Sequence, residues 1–92
     1  MKFGWDAEKA ARNRTKHGVS FEEARSAFGD PFGRIAYDLR HSDVEERFAL
    51  LGQSERGRLL VVLFVERGDL IRIISARKVT PSERRRYEEP EA

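Results

Sequence analysis

The chain contains no cysteine, which excludes disulfides and thiol catalysis and suits a reducing compartment. Its only histidines are His17 and His41, and no HxxxH or CxxC spacing accompanies them, so the common zinc patterns are missing. P-loop, GxGxxG and GxSxG motifs are also absent, and the last of these excludes an α/β-hydrolase. The longest apolar run, Leu59 to Val65, is far short of the ~20 residues that span a bilayer. The N-terminal stretch MKFGWDAEKA has no apolar core of a signal peptide. These absences lead to the expectation of a soluble, cytoplasmic protein with no membrane association, no cofactor and no metal. Asp43, Glu45 and Glu46 form the one weak grouping of acids for a magnesium-dependent nuclease.

What the chain does contain is arginine. Fourteen of its eighteen basic residues are arginines, the residue best suited to bidentate phosphate recognition and to stacking on bases. Net charge is only +2, but its distribution is uneven. From Arg72 to Arg86 there are six basic residues and one acid, Glu83, while Asp38, Asp43, Glu45 and Glu46 surround Arg40. That asymmetry fits an anionic partner or a solvated mixed-charge surface.

At 92 residues the chain is expected to form one domain, 1–92, with an ordered part of about 2–89. Phe3 and Trp5 share the face of a short strand, and Asp6 caps a helix from Ala7 to about Lys16, with Gly18 closing it. Ser20 and Glu23 form a capping box ahead of a second helix whose apolar stripe is Phe21, Ala24, Ala27 and Phe28. Strands are expected over Arg34 to Leu39, Glu45 to Leu51 (ended by Gly52), Leu59 to Glu66 and Leu70 to Arg77, with a tight turn at Arg67–Gly68. Thr80, Pro81 and Glu83 then start a short helix that runs to about Glu88. The segregation of helices from strands predicts a small α+β domain: an antiparallel sheet, two N-terminal helices on one face and a short C-terminal helix.

The run IRIISARK interrupts its apolar residues with Arg72. Strict alternation puts Ile71, Ile73, Ser75 and Arg77 on a core face, and Leu70, Arg72, Ile74 and Ala76 on the open one. Arg72 is then expected opposite Leu63 in the hairpin. In the preceding strand Phe48 and Leu50 make the core face and Arg47 the other, so Arg47 and Arg72 share the open side of the sheet. Each arginine either snorkels and pairs with a local acid or presents its charge to an anion. Tyr87 either docks the last helix or joins a site.

Two blocks carry a family resemblance. The first is FGWDAEKAARNRTKHGVSFEEARSAFGDP, with Phe3, Trp5, Asp6, Lys9, Asn13, Lys16 through Ala24, and Asp30–Pro31. The second includes Glu46–Arg47–Phe48, Gly52, Arg56–Gly57–Arg58, Glu66 through Asp69, Ile71 through Lys78, Glu83–Arg84 and Tyr87. Together they resemble the BrnT family of bacterial type II toxins, in the RelE/ParE-like superfamily. The resemblance implies a ribonuclease that cuts RNA and blocks translation. It also implies a cognate DNA-binding antitoxin of ribbon-helix-helix type, with operator DNA met only through the toxin–antitoxin complex. On that footing Arg72, Arg47 and Arg77 are the expected phosphate clamps, with Glu46, His17, Lys16 and Tyr87 as candidates for proton transfer. Lys16, Lys78, Arg84 and Arg85 are expected to meet the RNA backbone, and the Arg84–Arg86 segment RNA or antitoxin acids. Two other classes remain open: a toxin of the same fold that poisons a protein such as DNA gyrase, and a non-toxic nucleic-acid-binding module.

Overall fold

Local capping chemistry sets the helices. In the computed structural model, which describes residues 1–38 and 45–89, Asp6 accepts from the backbone N–H groups of Glu8 and Lys9 and opens α1 (Ala7–His17). Gly18 ends α1 in the left-handed region (φ 68°), where a side chain would strain the backbone. Ser20 caps α2 (Phe21–Ser26) by accepting from Glu23 N–H, and a 3₁₀ turn, Ala27–Gly29, follows. Thr80 and Glu83 form a complete capping box for α3 (Pro81–Glu88).

The strands are β1 (Lys2–Gly4), β2 (Arg34–Tyr37), β3 (Phe48–Gln53), β4 (Leu59–Arg67) and β5 (Leu70–Lys78). Among the described residues they form one sheet in the order β1-β5-β4-β3-β2. The sheet is mixed rather than purely antiparallel, because β1 pairs parallel to β5. The chain leaves β1 through α1 and α2 and returns to β1's neighbour only at β5, a long connection of the kind parallel pairing requires.

One face of the sheet carries the core. Leu50, Leu60, Val62, Phe64, Ile71, Ile73 and Ala76 pack with Val19, Phe21, Ala24 and Ala27 from the α1–α2 region. Edge-to-face and stacked rings continue this layer from Phe3 through Phe28, Phe64 and Phe48 to Tyr37. Gly52 lies within β3 instead of ending it. A Cβ there would come 2.9 Å from the Ala27 carbonyl, so glycine is what lets the 3₁₀ turn approach the strand.

Two register features differ from simple alternation. The β4–β5 turn is Gly68–Asp69, with Gly68 at φ 60° and Arg67 paired to Leu70; a positive φ at the first central position alone is the type II′ pattern. Arg72 therefore sits opposite Val65, not Leu63. Further on, Leu63 pairs Ser75 while Phe64 pairs Ile73, so Ile74 is an extra residue, a β-bulge. The bulge reverses the alternation, seating Ala76 fully in the core and bringing Arg77 to the face that Arg72 occupies. Asn13 holds this arrangement from α1. Its amide donates to the carbonyls of Ala76 and Val19 (2.9 Å each), and its oxygen accepts from Ala76 N–H (3.1 Å). Buried Asn13 thus satisfies the edge of β5 beyond the reach of short β1.

Candidate functional site

The open face holds the residues of opposite parity: Ala49 and Leu51 of β3, Val61, Leu63 and Val65 of β4, and Arg72 and Arg77 of β5. Extending the β3–β4 register by one residue places Arg47 beside Val65, and Val65 pairs with Arg72. The Asp38 N–H donates to the Arg47 carbonyl (2.8 Å) and Gly4 pairs with Arg72, so one row crosses the sheet: Gly4, Arg72, Val65, Arg47, Asp38. With strands ~4.8 Å apart, the backbones of Arg72 and Arg47 are separated by roughly 10 Å, across a fully buried Val65. Both side chains are long enough to meet over that valine on one anion.

This row is electrostatically distinctive. Arg67 forms a two-point ion pair with Glu45 (2.9 and 3.0 Å). The bond from Arg67, followed by the charges of Arg47 and Arg72, holds the Glu45 carboxyl below its usual range. Asp6 is also held low, mainly by the helix N–H groups it caps and in small part by Arg72. Arg72 thus feels two carboxylates at a distance, yet among the described residues it makes no hydrogen bond or ion pair.

Arg77 shares the face but not this freedom. Its guanidinium grips Glu83 with two bonds of 2.8 Å and the Lys78 carbonyl with a third of 3.2 Å. The hydrogen bonds from Arg77 hold the Glu83 carboxyl down at about 2. Tyr87 donates to Asp30, whose Oδ2 also accepts Gln53 N–H (2.8 Å). Burial, reinforced by Asp30, raises the Tyr87 hydroxyl to about 12. Since Arg47 and Gln53 are six strand residues apart, Tyr87 lies roughly 20 Å from the Arg72 row. His17 and Lys16, at the far end of α1, neighbour Gly18, whose carbonyl accepts from Arg58 (3.0 Å) at the start of β4.

The sequence-based candidates are therefore not one constellation. Arg72 and Arg47 come together, with exposed Glu46 preceding β3. Arg77 lies further along β5 and is committed to Glu83, while His17, Lys16 and Tyr87 belong to the other end. Lys78, Arg84 and Arg85 are exposed near that end as well. His41 and Asp43 lie outside the described residues. Within the described residues no group of three or more His, Cys, Asp or Glu is placed to hold a metal, and no helix is long and apolar enough to cross a membrane. Sequence reasoning missed Glu45 and Asp6 as the acids whose charge reaches Arg72; Glu45 alternating with Arg47 was the available signal.

Glu23 also departs from its local reading. It does not close a capping box on Ser20. Its buried carboxylate accepts from Ser54 Oγ (2.7 Å) and from the Arg58 fork, with Arg56 Nη1 at 3.7 Å. The bond from Arg58 is the main reason its carboxyl is held low.

A small α+β domain with two arginines fixed side by side on an open sheet surface is suited to an anionic ligand, a phosphodiester included. The chain belongs to the BrnT family: the model described as "Ribonuclease toxin, BrnT, of type II toxin-antitoxin system" matches residues 5–83. Membership implies RNA as substrate and a cognate antitoxin as partner. The crystal structure of the Brucella abortus ribonuclease toxin BrnT is similar, with 26% identity and a TM-score of 0.60, covering 87% of this chain and 97% of that one. No curated protein matches the chain.

Proposed function

We propose that this protein is a cytoplasmic endoribonuclease of the RelE/ParE-like superfamily that cleaves RNA without a metal ion and so inhibits translation. A cognate DNA-binding antitoxin neutralises it, and the two together repress their own operon. The observation that carries the reading is Arg72, held between two neighbouring strands in one row with Arg47 and with no bonded acid of its own among the described residues.

In this mechanism the 2′-oxygen attacks the adjacent phosphorus and the bond to the 5′-oxygen breaks, leaving a 2′,3′-cyclic phosphate and a 5′-hydroxyl. Negative charge accumulates on the phosphoryl oxygens in between. The two guanidiniums straddle that phosphate above Val65 and stabilise the pentacoordinate state, usually the largest contribution to such a rate. Arg67 engages both oxygens of Glu45, the acid whose charge reaches this row. The 2′-OH proton leaves to solvent and the departing 5′-oxygen takes one up from solvent, because His17 and Tyr87 stand at the other end of the sheet.

The test is cleavage of purified RNA by purified protein in EDTA. The expected result is 2′,3′-cyclic phosphate ends, a rate that rises with pH without an inflection near ~6.5, and a loss of roughly a hundredfold or more in Arg72→Ala. Tight, salt-sensitive RNA binding without product would indicate a binding module. An Arg72→Ala protein that is folded by circular dichroism and cleaves at the normal rate would falsify this site.

A further inference from the structure

The apolar surface this domain leaves uncovered is concentrated on one edge. Among the described residues the large exposed hydrophobics are Met1, Phe32, Ile35 and Tyr37, and the last three (74, 61 and 44% exposed) lie within or just before β2. β2 is the terminal strand of the sheet. Asp38 N–H points inward to Arg47, so by alternation Arg34 and Ala36 bond to β3, and the backbone groups of Ile35 and Tyr37 face the free edge. Among the described residues, these two thus offer hydrogen-bonding groups with no strand partner and exposed apolar side chains, an open invitation to another strand.

Beside this edge, on the open face, a cavity of about 110 Å³ is floored by Ala36, Ala49, Leu51 and Val61 and bounded by Arg34, which also donates to the Glu89 carbonyl, by Arg86, and by Glu83, whose carboxylate is taken up by Arg77. It has room for one aliphatic side chain with a carboxylate at its mouth. A second copy of this chain does not supply that. Its β2, pairing edge to edge, brings Arg34, Ala36 and, just after the strand, Asp38 to this face, none of them an aliphatic side chain large enough to fill the cavity. The family supplies a different occupant, since these toxins work with a cognate antitoxin.

We propose that the antitoxin docks an extended segment on β2 as a sixth strand. One aliphatic side chain of the segment fills the Ala36–Leu51–Val61 cavity, and an adjacent acidic residue meets Arg34 and Arg86. Its alternate side chains cover Ile35 and Tyr37 on the helix-bearing face. Such β-addition draws affinity from the backbone and specificity from the pocket. Asp38, directly after β2, is bonded to Arg47, so a segment docked here ends about two strand spacings, ~10 Å, from the Arg47 backbone.

The decisive measurement is residue-resolved amide exchange of the wild-type toxin, alone and bound to purified cognate antitoxin. The amides of Ile35 and Tyr37 should exchange freely in the toxin alone and gain protection of at least about tenfold in the complex. In parallel, an Ile35→Lys/Ala36→Asp variant, shown folded by circular dichroism, should bind antitoxin at least about tenfold more weakly while free RNA cleavage is unchanged. Unaltered exchange at both amides overturns the proposal, as does undiminished antitoxin binding by the folded variant. If the free toxin sediments as a dimer that this variant dissolves, the edge belongs to a second copy, and the proposal is likewise overturned. The exchange experiment stands even if the variant does not fold.

Discussion

The two ends of the sheet use the same residue type in opposite ways. Where β3 finishes, arginine is scaffold: Arg58 is bound to Glu23, and Arg77 to Glu83, with Tyr87 similarly fastened to Asp30. Where β3 begins, Arg67 takes up Glu45, and Arg72 is left in a row with Arg47. A guanidinium bonded at both nitrogens to a carboxylate has little left to offer a phosphate. One held on a strand with no such partner among the described residues is available to a ligand. The contrast ranks the arginines by their neighbours rather than by their number, setting the paired Arg58, Arg67 and Arg77 below Arg72, which has no such partner among the described residues.

Substitutions can break or sharpen that contrast. The largest stability effect belongs to Glu23→Gln, which leaves the partly buried Arg58 without its charge partner. Thermal unfolding should show a loss of about 3 kcal/mol, with RNA cleavage retained in the folded fraction. At the other end Arg72→Lys keeps the charge but loses the fork, and single-turnover cleavage should fall about thirtyfold, equivalent to ~2 kcal/mol, with stability unmoved. Glu83→Gln tests the Arg77 pair. The carboxyl is at about 2 when folded against 4.5 as a free side chain. Its contribution is therefore fully present above 4.5 and lost as pH falls toward 2. The variant should be roughly 1–2 kcal/mol less stable at neutral pH, after allowance for solvent screening of the half-exposed Arg77, and should converge with wild type as the pH falls through that window. Smallest is Tyr87→Phe, expected to cost about 1 kcal/mol in denaturant titrations and to leave the cleavage rate within about threefold. A large rate loss there would place the tyrosine at the reaction after all.

The features legible in the sequence were those with local causes. Asp6, Ser20 and Thr80 announce their helices because a cap is a contact between residues two or three apart. The core faces of β3 and of the first half of β5 follow from the two-residue period of a strand. The failures have distant causes. Nothing within IRIISARK signals the bulge at Ile74, because what requires it is Ala76 meeting Asn13, 63 residues away in the chain. That displacement is why Arg77 was expected on the core face. Glu23 has the spacing of a capping box, but the partly buried Arg58, 35 residues on, competes for it and wins. Parallel pairing of β1 with β5 likewise has no local signature. For the site, alternation was enough to bring Arg47 and Arg72 to one surface. The dispersal of His17, Tyr87 and Arg77 depended on which end of the sheet each element reaches.

The central claim is that chemistry resides at Arg72 and architecture at Arg77. One paired measurement addresses it directly: cleavage rate and melting temperature for Arg72→Ala and Arg77→Ala, assayed side by side in EDTA at a temperature where both are folded. The account predicts that Arg72→Ala loses roughly a hundredfold or more in rate with its melting temperature preserved, and that Arg77→Ala melts earlier while cleaving at nearly the wild-type rate. The reverse pattern, with Arg77→Ala stable and inactive and Arg72→Ala active, would contradict it.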